Sequence, residues 1–243
     1  MPKVLRDAAI IARLHLLAMQ REFFVYVVVL GLFPLGVLFF ARYLVPEGVP
    51  VGARLIAGSV VFSLGLTTVN NLGQIMVNER FNNHLKLIIV APVHRLSYAI
   101  GVIAFSSVQG VTGAVLVLLF APLFGIQIEL SPWLVPVGLL CALSMTGVGL
   151  LIGTWAPSAQ AGNLLANTVG ILVVMLSPIY FDVSRLPAWL QWPARLSPYT
   201  HAGAAMNSIL SGAGDFQGEA GILAGITAVT LVLGIAGMRW RDV

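Results

Sequence analysis

Long runs free of charged residues alternate along this chain with short charged ones. The charge-poor runs are Phe23 to Ala41, Leu55 to Asn78, Leu96 to Phe124, Trp133 to Trp155, Asn163 to Phe181 and Ala220 to Met238. Each is long enough for a helix to cross a hydrocarbon core of about 30 Å, which takes about 20 residues. Strands of a membrane barrel need only about 9 to 11 residues, and backbone in lipid must hydrogen-bond to itself. The pattern therefore predicts an all-α membrane protein with six transmembrane helices.

The segments between the runs have patterns of their own. In residues 1–22, Arg6, Arg13 and Gln20 recur every seven residues while Leu5, Ile11, Leu16 and Leu17 fill much of the rest. This predicts an interfacial amphipathic helix on the cytoplasmic leaflet, with a plain extension of the first span as the alternative. His15 falls off the polar stripe and reads as packing. Between the second and third runs, residues 79–95 form a charged amphipathic insert in which Phe81, Leu85 and Ile88 recur at helical spacing. Glu79, Arg80, His84 and Lys86 supply its polar side. Between the fifth and sixth runs, residues 178–214 are broken by Pro178, Pro187 and Pro193. There Ser197 caps a helix with Pro198 at its first position, and Gly212 and Gly214 end it. From Tyr199 to about Ser211 that helix rises only about 20 Å, too short to cross, so the segment predicts an extracellular re-entrant hairpin. Trp189 and Trp192 suit a headgroup level or simple packing on a loop.

Composition agrees with this arrangement: 58% hydrophobic and 9% charged residues, with mean hydropathy +0.96, exclude a soluble globule. The net charge of +4 comes from scattered cations, which points to lipid headgroups and away from nucleic acid. With the N-terminus inside, nine Lys and Arg residues fall on the cytoplasmic side against four outside, placing both termini in the cytoplasm of a multi-pass inner-membrane protein. The first run is too long for a signal-peptide core. Cys141, the single cysteine, reads as a small buried hydrophobe.

Chemistry-bearing motifs are absent from the sequence. It holds no phosphate-binding loop, no zinc-type Cys/His spacing and no nucleophile elbow, so no catalytic residue, metal or cofactor is assigned to this chain. No run carries an acid or base at its centre, which disfavours ion-coupled transport. The second run instead carries uncharged polar residues at helical spacing, Ser63, Thr67, Asn70 or Asn71, Gln74 and Asn78. Asn163, Asn167 and Thr168 open the fifth run similarly. These groups either line a substrate path or bond to neighbouring helices, and the sequence leaves both open. Beyond them Ile171, Leu172, Met175 and Leu176 are apolar enough for a dry outer gate, with core packing as the alternative.

In order and spacing, these features resemble the type-2 permease family of ATP-binding-cassette (ABC) exporters. The resemblance rests on Glu79-Arg80, then Leu85, Leu87, Ala91-Pro92-Val93 and Arg95, and later Ser177-Pro178, Leu186-Pro187-Ala188-Trp189-Leu190 and Ser197-Pro198-Tyr199. It covers essentially the whole chain, which it implies is a single permease domain over 1–243. Where family members often carry Gly-Thr and an acidic residue after Glu-Arg, this chain has Asn82-Asn83-His84 and Lys86. The resemblance implies that residues 79–95 form a coupling helix docking a cytoplasmic ABC ATPase subunit, which would hold the ATP and Mg. It also implies a second permease copy or a paralogue, with the second and fifth spans walling the path. The expected function is export of a hydrophobic or amphipathic substrate, a drug-like natural product or a lipid. Lipid-linked polysaccharide export is the alternative within the family, and a self-contained channel or ion-coupled carrier the alternative outside it.

Overall fold

A computed structural model describes residues 3–20, 52–82 and 93–238, together with Phe24, Val28, Leu32, Leu35, Gly36, Leu38, Phe39, His84, Ile88 and Val90. Among the described residues all regular structure is helical. The helices are α1 (Lys3–Gln20), α2 (Ala53–Phe81), α3 (Arg95–Phe120), α4 (Leu134–Ser144), α5 (Thr146–Trp155), α6 (Ala159–Leu176), α7 (Ala188–Leu196), α8 (Pro198–Leu210) and α9 (Gln217–Ala236). Among the described residues five stretches are long and apolar enough to cross a membrane: Ala53–Phe81, Arg95–Phe124, Leu134–Trp155, Ala159–Leu176 and Gln217–Ala236. They correspond to the second through sixth predicted spans. The first, Phe23 to Ala41, falls mostly outside the described residues, although Leu38 from it is buried in the main apolar core.

The centre of the molecule is α2, which packs against α3, α5, α6 and α8. Glycines admit close contacts of α2 with α8 and with the segment that follows α6. A Cβ on Gly65 would lie 2.5 Å from the Tyr199 ring, and one on Gly58 would lie 2.5 Å from the Tyr180 ring. Tyr199 is fully buried and donates its hydroxyl to the Gly65 carbonyl at 3.0 Å, so the ring that fills the gap also satisfies its own polar end. Cys141 is buried in the same core.

Two boundaries differ from the sequence reading. The fourth predicted span is two helices, α4 and α5, because the chain leaves helical geometry at Met145 (φ −114°, ψ 6°). Hydroxyls occupy carbonyls around the break: Ser144 donates to Cys141 O at 2.7 Å, Thr146 to Leu143 O at 2.7 Å, and Thr230 of α9 to Ser144 O at 2.6 Å. Just past the break α5 crosses α9 at Gly147 and Gly234, where the two backbones touch without an intervening side chain. The fifth span begins at Ala159, four residues before the predicted Asn163, because Ser158 caps it by accepting from Ala161 N at 3.2 Å. It ends at Leu176, just ahead of Pro178, the residue expected to end or kink it.

The segment 178–214 contains two short α-helices, α7 and α8. Ser197 caps α8 and Pro198 opens it, and α8 closes with Gly212 at φ +72°, its N–H bonding Ile209 O and that of Ala213 bonding Ser208 O. Only glycine takes that left-handed position without strain.

Candidate functional site

Several cross-element bonds stand together at one end of α2. Glu79 and Arg80 are neighbours in sequence and point in different directions around the helix. The Glu79 carboxylate accepts from the Tyr98 hydroxyl at the start of α3, and its other oxygen lies 3.3 Å from His15 Nε2 on α1. The His15 ring stacks on Phe105 of α3, with 5.2 Å between centroids. Arg80 reaches the opposite way, donating to the carbonyls of Thr154 at 2.6 Å and Ala156 at 2.9 Å. These are among the carbonyls left unpaired where α5 ends, so the guanidinium caps that terminus and complements its partial negative charge. Two adjacent side chains thus fasten α1, α2, α3 and the α5–α6 turn into one node.

This placement changes how the sequence-predicted residues are grouped. The Glu79 side chain is only 13% exposed. Phe81 and His84 are exposed, and the Arg80 guanidinium lies 5.2 Å above the Phe81 ring. Ile88 turns inward, half-buried against the cluster of Leu72, Met76 and Tyr98. Leu85 and Lys86 lie outside the described residues. Around the end of α2, Phe81 and His84 therefore offer an outward surface while Glu79 and Arg80 hold the helix ends. Two members of the node were not singled out from sequence: Tyr98, and His15, which read as packing. The one available signal was that His15 lies off the polar stripe of α1 and so faces the protein.

Further along α2 the polar stripe is committed to other helices. Asn70 donates to Asn167 Oδ1 of α6 at 2.7 Å, Asn71 donates to Gln109 Oε1 of α3 at 3.0 Å, and Gln74 donates to Asn70. Asn163 reaches Asn78 at 3.4 Å, and Asn167 also donates to Asn163 O at 2.9 Å. Gln109 continues the chain of amides to the sulfur of Met19 on α1 at 3.4 Å. Thr67 is buried and donates to Ser63 O of its own helix at 2.6 Å, whereas Thr168 is exposed. Replacing Asn167 by leucine should lower thermal stability by about 1–2 kcal/mol, because Asn70 then loses a partner in a poorly hydrated setting. A drop in transport per folded molecule at unchanged melting temperature would instead place Asn167 on a path.

At the other end of α6, Leu172, Met175 and Leu176 are not packed within the chain: they are 51%, 59% and 56% exposed. With Leu164, Thr168 and Ile171 they make one continuous outward stripe at helical spacing. The hairpin beside them is pinned by Arg54 of α2, which bonds Asp182 at 2.8 Å and Phe181 O at 2.9 Å, and by a 2.6 Å hydroxyl contact between Ser177 and Ser197.

Comparison with known proteins bears on this arrangement. Residues 8–211 match the family described as ABC-2 type transporter. Over 197 residues the chain is 24% identical to the linearmycin resistance permease protein LnrN of Bacillus subtilis (strain 168), an alignment covering 79% of this chain and 51% of the relative. The chain spans about half the length of that relative.

Proposed function

The chain belongs to the ABC-2 type transporter family, and from that premise we propose that it is the membrane permease subunit of an ATP-driven exporter. The observation that carries this reading is the node at Glu79 and Arg80. A segment that receives force from a soluble motor needs its root joined to the transmembrane helices, and here the root is bonded to α1, α3 and the α5–α6 turn. Phe81 and His84, exposed beyond the root, belong to the docking surface for a cytoplasmic ABC ATPase subunit. ATP and Mg are held by that partner. ATP-driven closure of the ATPases pushes on residues 79–95, and the node passes the movement to the helices.

Two permease copies, or one copy and a paralogue, enclose the path. The stripe on α6 that includes Leu172, Met175 and Leu176 supports this, since side chains unpacked within one chain gain a partner across such an interface and form its outer gate. Both termini are cytoplasmic by the excess of cations on that side. α1 lies on the inner leaflet, with Leu5, Ile10, Leu14 and Leu17 exposed to lipid and Ile11 packed near Gly101 of α3. The hairpin α7–α8 sits in the outer leaflet and caps the path. An apolar gate suits a hydrophobic or amphipathic substrate, a drug-like natural product or a lipid.

Affinity purification of the chain from its native membrane should co-isolate a protein with a phosphate-binding loop, and the purified assembly should hydrolyse ATP in lipid. A chain that moves ions or solutes across liposomes alone, with no ATPase bound, would overturn the assignment in favour of a self-contained carrier.

A further inference from the structure

One titratable pair lies far from the Glu79 node and takes no part in it. His201, in the first turn of α8, is nearly buried and has both ring nitrogens engaged. Its Nε2 is 2.7 Å from the carbonyl oxygen of Arg195 at the end of α7. A carbonyl only accepts, so Nε2 carries a hydrogen. Its Nδ1 is 2.6 Å from Oε2 of Glu219 in the first turn of α9. Two bare lone pairs at that separation repel each other, so a proton lies between these atoms. The His201 ring thereby joins three helices: α8, which carries it, α7 through Arg195 and α9 through Glu219.

Other charges near α8 are engaged or distant. Arg54 of α2 is bonded to Asp182 at 2.8 Å, and Glu79 and Arg80 occupy the opposite end of that helix. α4 contributes no acid or base beyond the Cys141 thiol, α7 contributes Arg195 with an exposed side chain, and α9 carries no charge but Glu219. Tyr199 of α8 is bonded to Gly65 O. Asp215 and Glu129 lie at the far end of α8, near Ser208 and Gly212. The Glu219 side chain is 42% exposed, which gives the proton a route to water.

We propose that His201 and Glu219 form a proton-held latch fastening the hairpin α7–α8 to α9, closed while the pair keeps its proton and released as rising pH removes it. Once the proton is gone, the Nδ1 lone pair faces a carboxylate, and Glu219 turns to solvent while His201 keeps its bond to Arg195. The other ties of the hairpin, through Ser177, Ser197 and Tyr199, contain no group that titrates near neutrality.

The test uses nitroxide labels at Ala188→Cys and Gln217→Cys, both exposed positions, in a Cys141→Ala background in lipid nanodiscs. The distance distribution between the labels is measured from about pH 5 to about pH 9, which brackets ordinary imidazole titration. The parent should give one narrow distance at the acid end and a broader, longer distribution at the alkaline end. Glu219→Gln should stay narrow throughout, because its amide donates to the Nδ1 lone pair with no titrating proton, and Glu219→Ala should be broad throughout. The latch is overturned if the parent distribution ignores pH, if Glu219→Gln follows pH as the parent does, or if Glu219→Ala remains narrow.

Discussion

Changing Glu79 and Arg80 together to glutamine should leave the protein inserted and its ATPase bound, yet lower transport per ATP hydrolysed by about 2- to 30-fold, the span set by coupling changes of about 0.5–2 kcal/mol. Glutamine keeps the shape of Glu79, is shorter than Arg80, and removes the charges that hold His15 and Tyr98 on one side and the end of α5 on the other. Force arriving from the cytoplasm would then meet a root free to shift against α1 and α5. Phe81→Asp, on an exposed position, should act differently and weaken co-purification of the ATPase, since it alters the surface beyond the root. Measuring ATP hydrolysis, transport and ATPase retention in the same proteoliposomes separates the two effects. Loss of ATPase binding in the Glu79/Arg80 variant with normal coupling of whatever remains bound would assign both residues to docking.

Gly147→Val should be the most destabilising single change among the transmembrane glycines. A Cβ at Gly147 falls on the carbonyl of Thr230, and Gly234 meets Gly147 itself from the other side, so neither backbone has a flexible atom to yield. The crossing of α5 and α9 would have to open, with loss of the contacts around it and of the Thr230–Ser144 hydrogen bond. Overpacking in cores costs about 1–3 kcal/mol, and a clash between backbones belongs at or above the top of that range. Thermal unfolding in detergent and the yield of folded protein measure this. Gly221→Ala on α9 is the control: nothing lies within 4 Å of a Cβ there, and helix propensity alone should make the change neutral or slightly stabilising. Equal melting temperatures for the two variants would mean that the α5–α9 crossing is not held by close backbone contact.

The helical spans were legible because lipid forces long apolar runs, and the ends of α8 were legible because Ser197, Pro198 and Gly212 have strong local preferences. The break at Met145 was not, since charge counting is blind to a hydroxyl that replaces a backbone donor. Nor were the partners of Glu79 and Arg80. His15, Tyr98 and the Thr154 carbonyl are brought to them by helix packing across tens of residues, and no local spacing encodes such a meeting. For the stripe from Thr67 to Asn78, the period showed that the residues share a face, but the identity of what they face came only with α3 and α6.

The interruption between α4 and α5 gives this bundle a knee. The lower limb, α5, is strapped at its foot by Arg80 and lies along α2, whereas the upper limb, α4, leans on α8. A rod of continuous helix would carry a thrust from the cytoplasm to the outer surface as a translation of its whole length. A jointed one turns the same thrust into a change of angle at Met145, with the glycine crossing beside it acting as fulcrum. On the proposed reading, the limb held by Arg80 would follow the ATPase while the other limb follows the hairpin, and the two ends of the path would not need to open in the same instant.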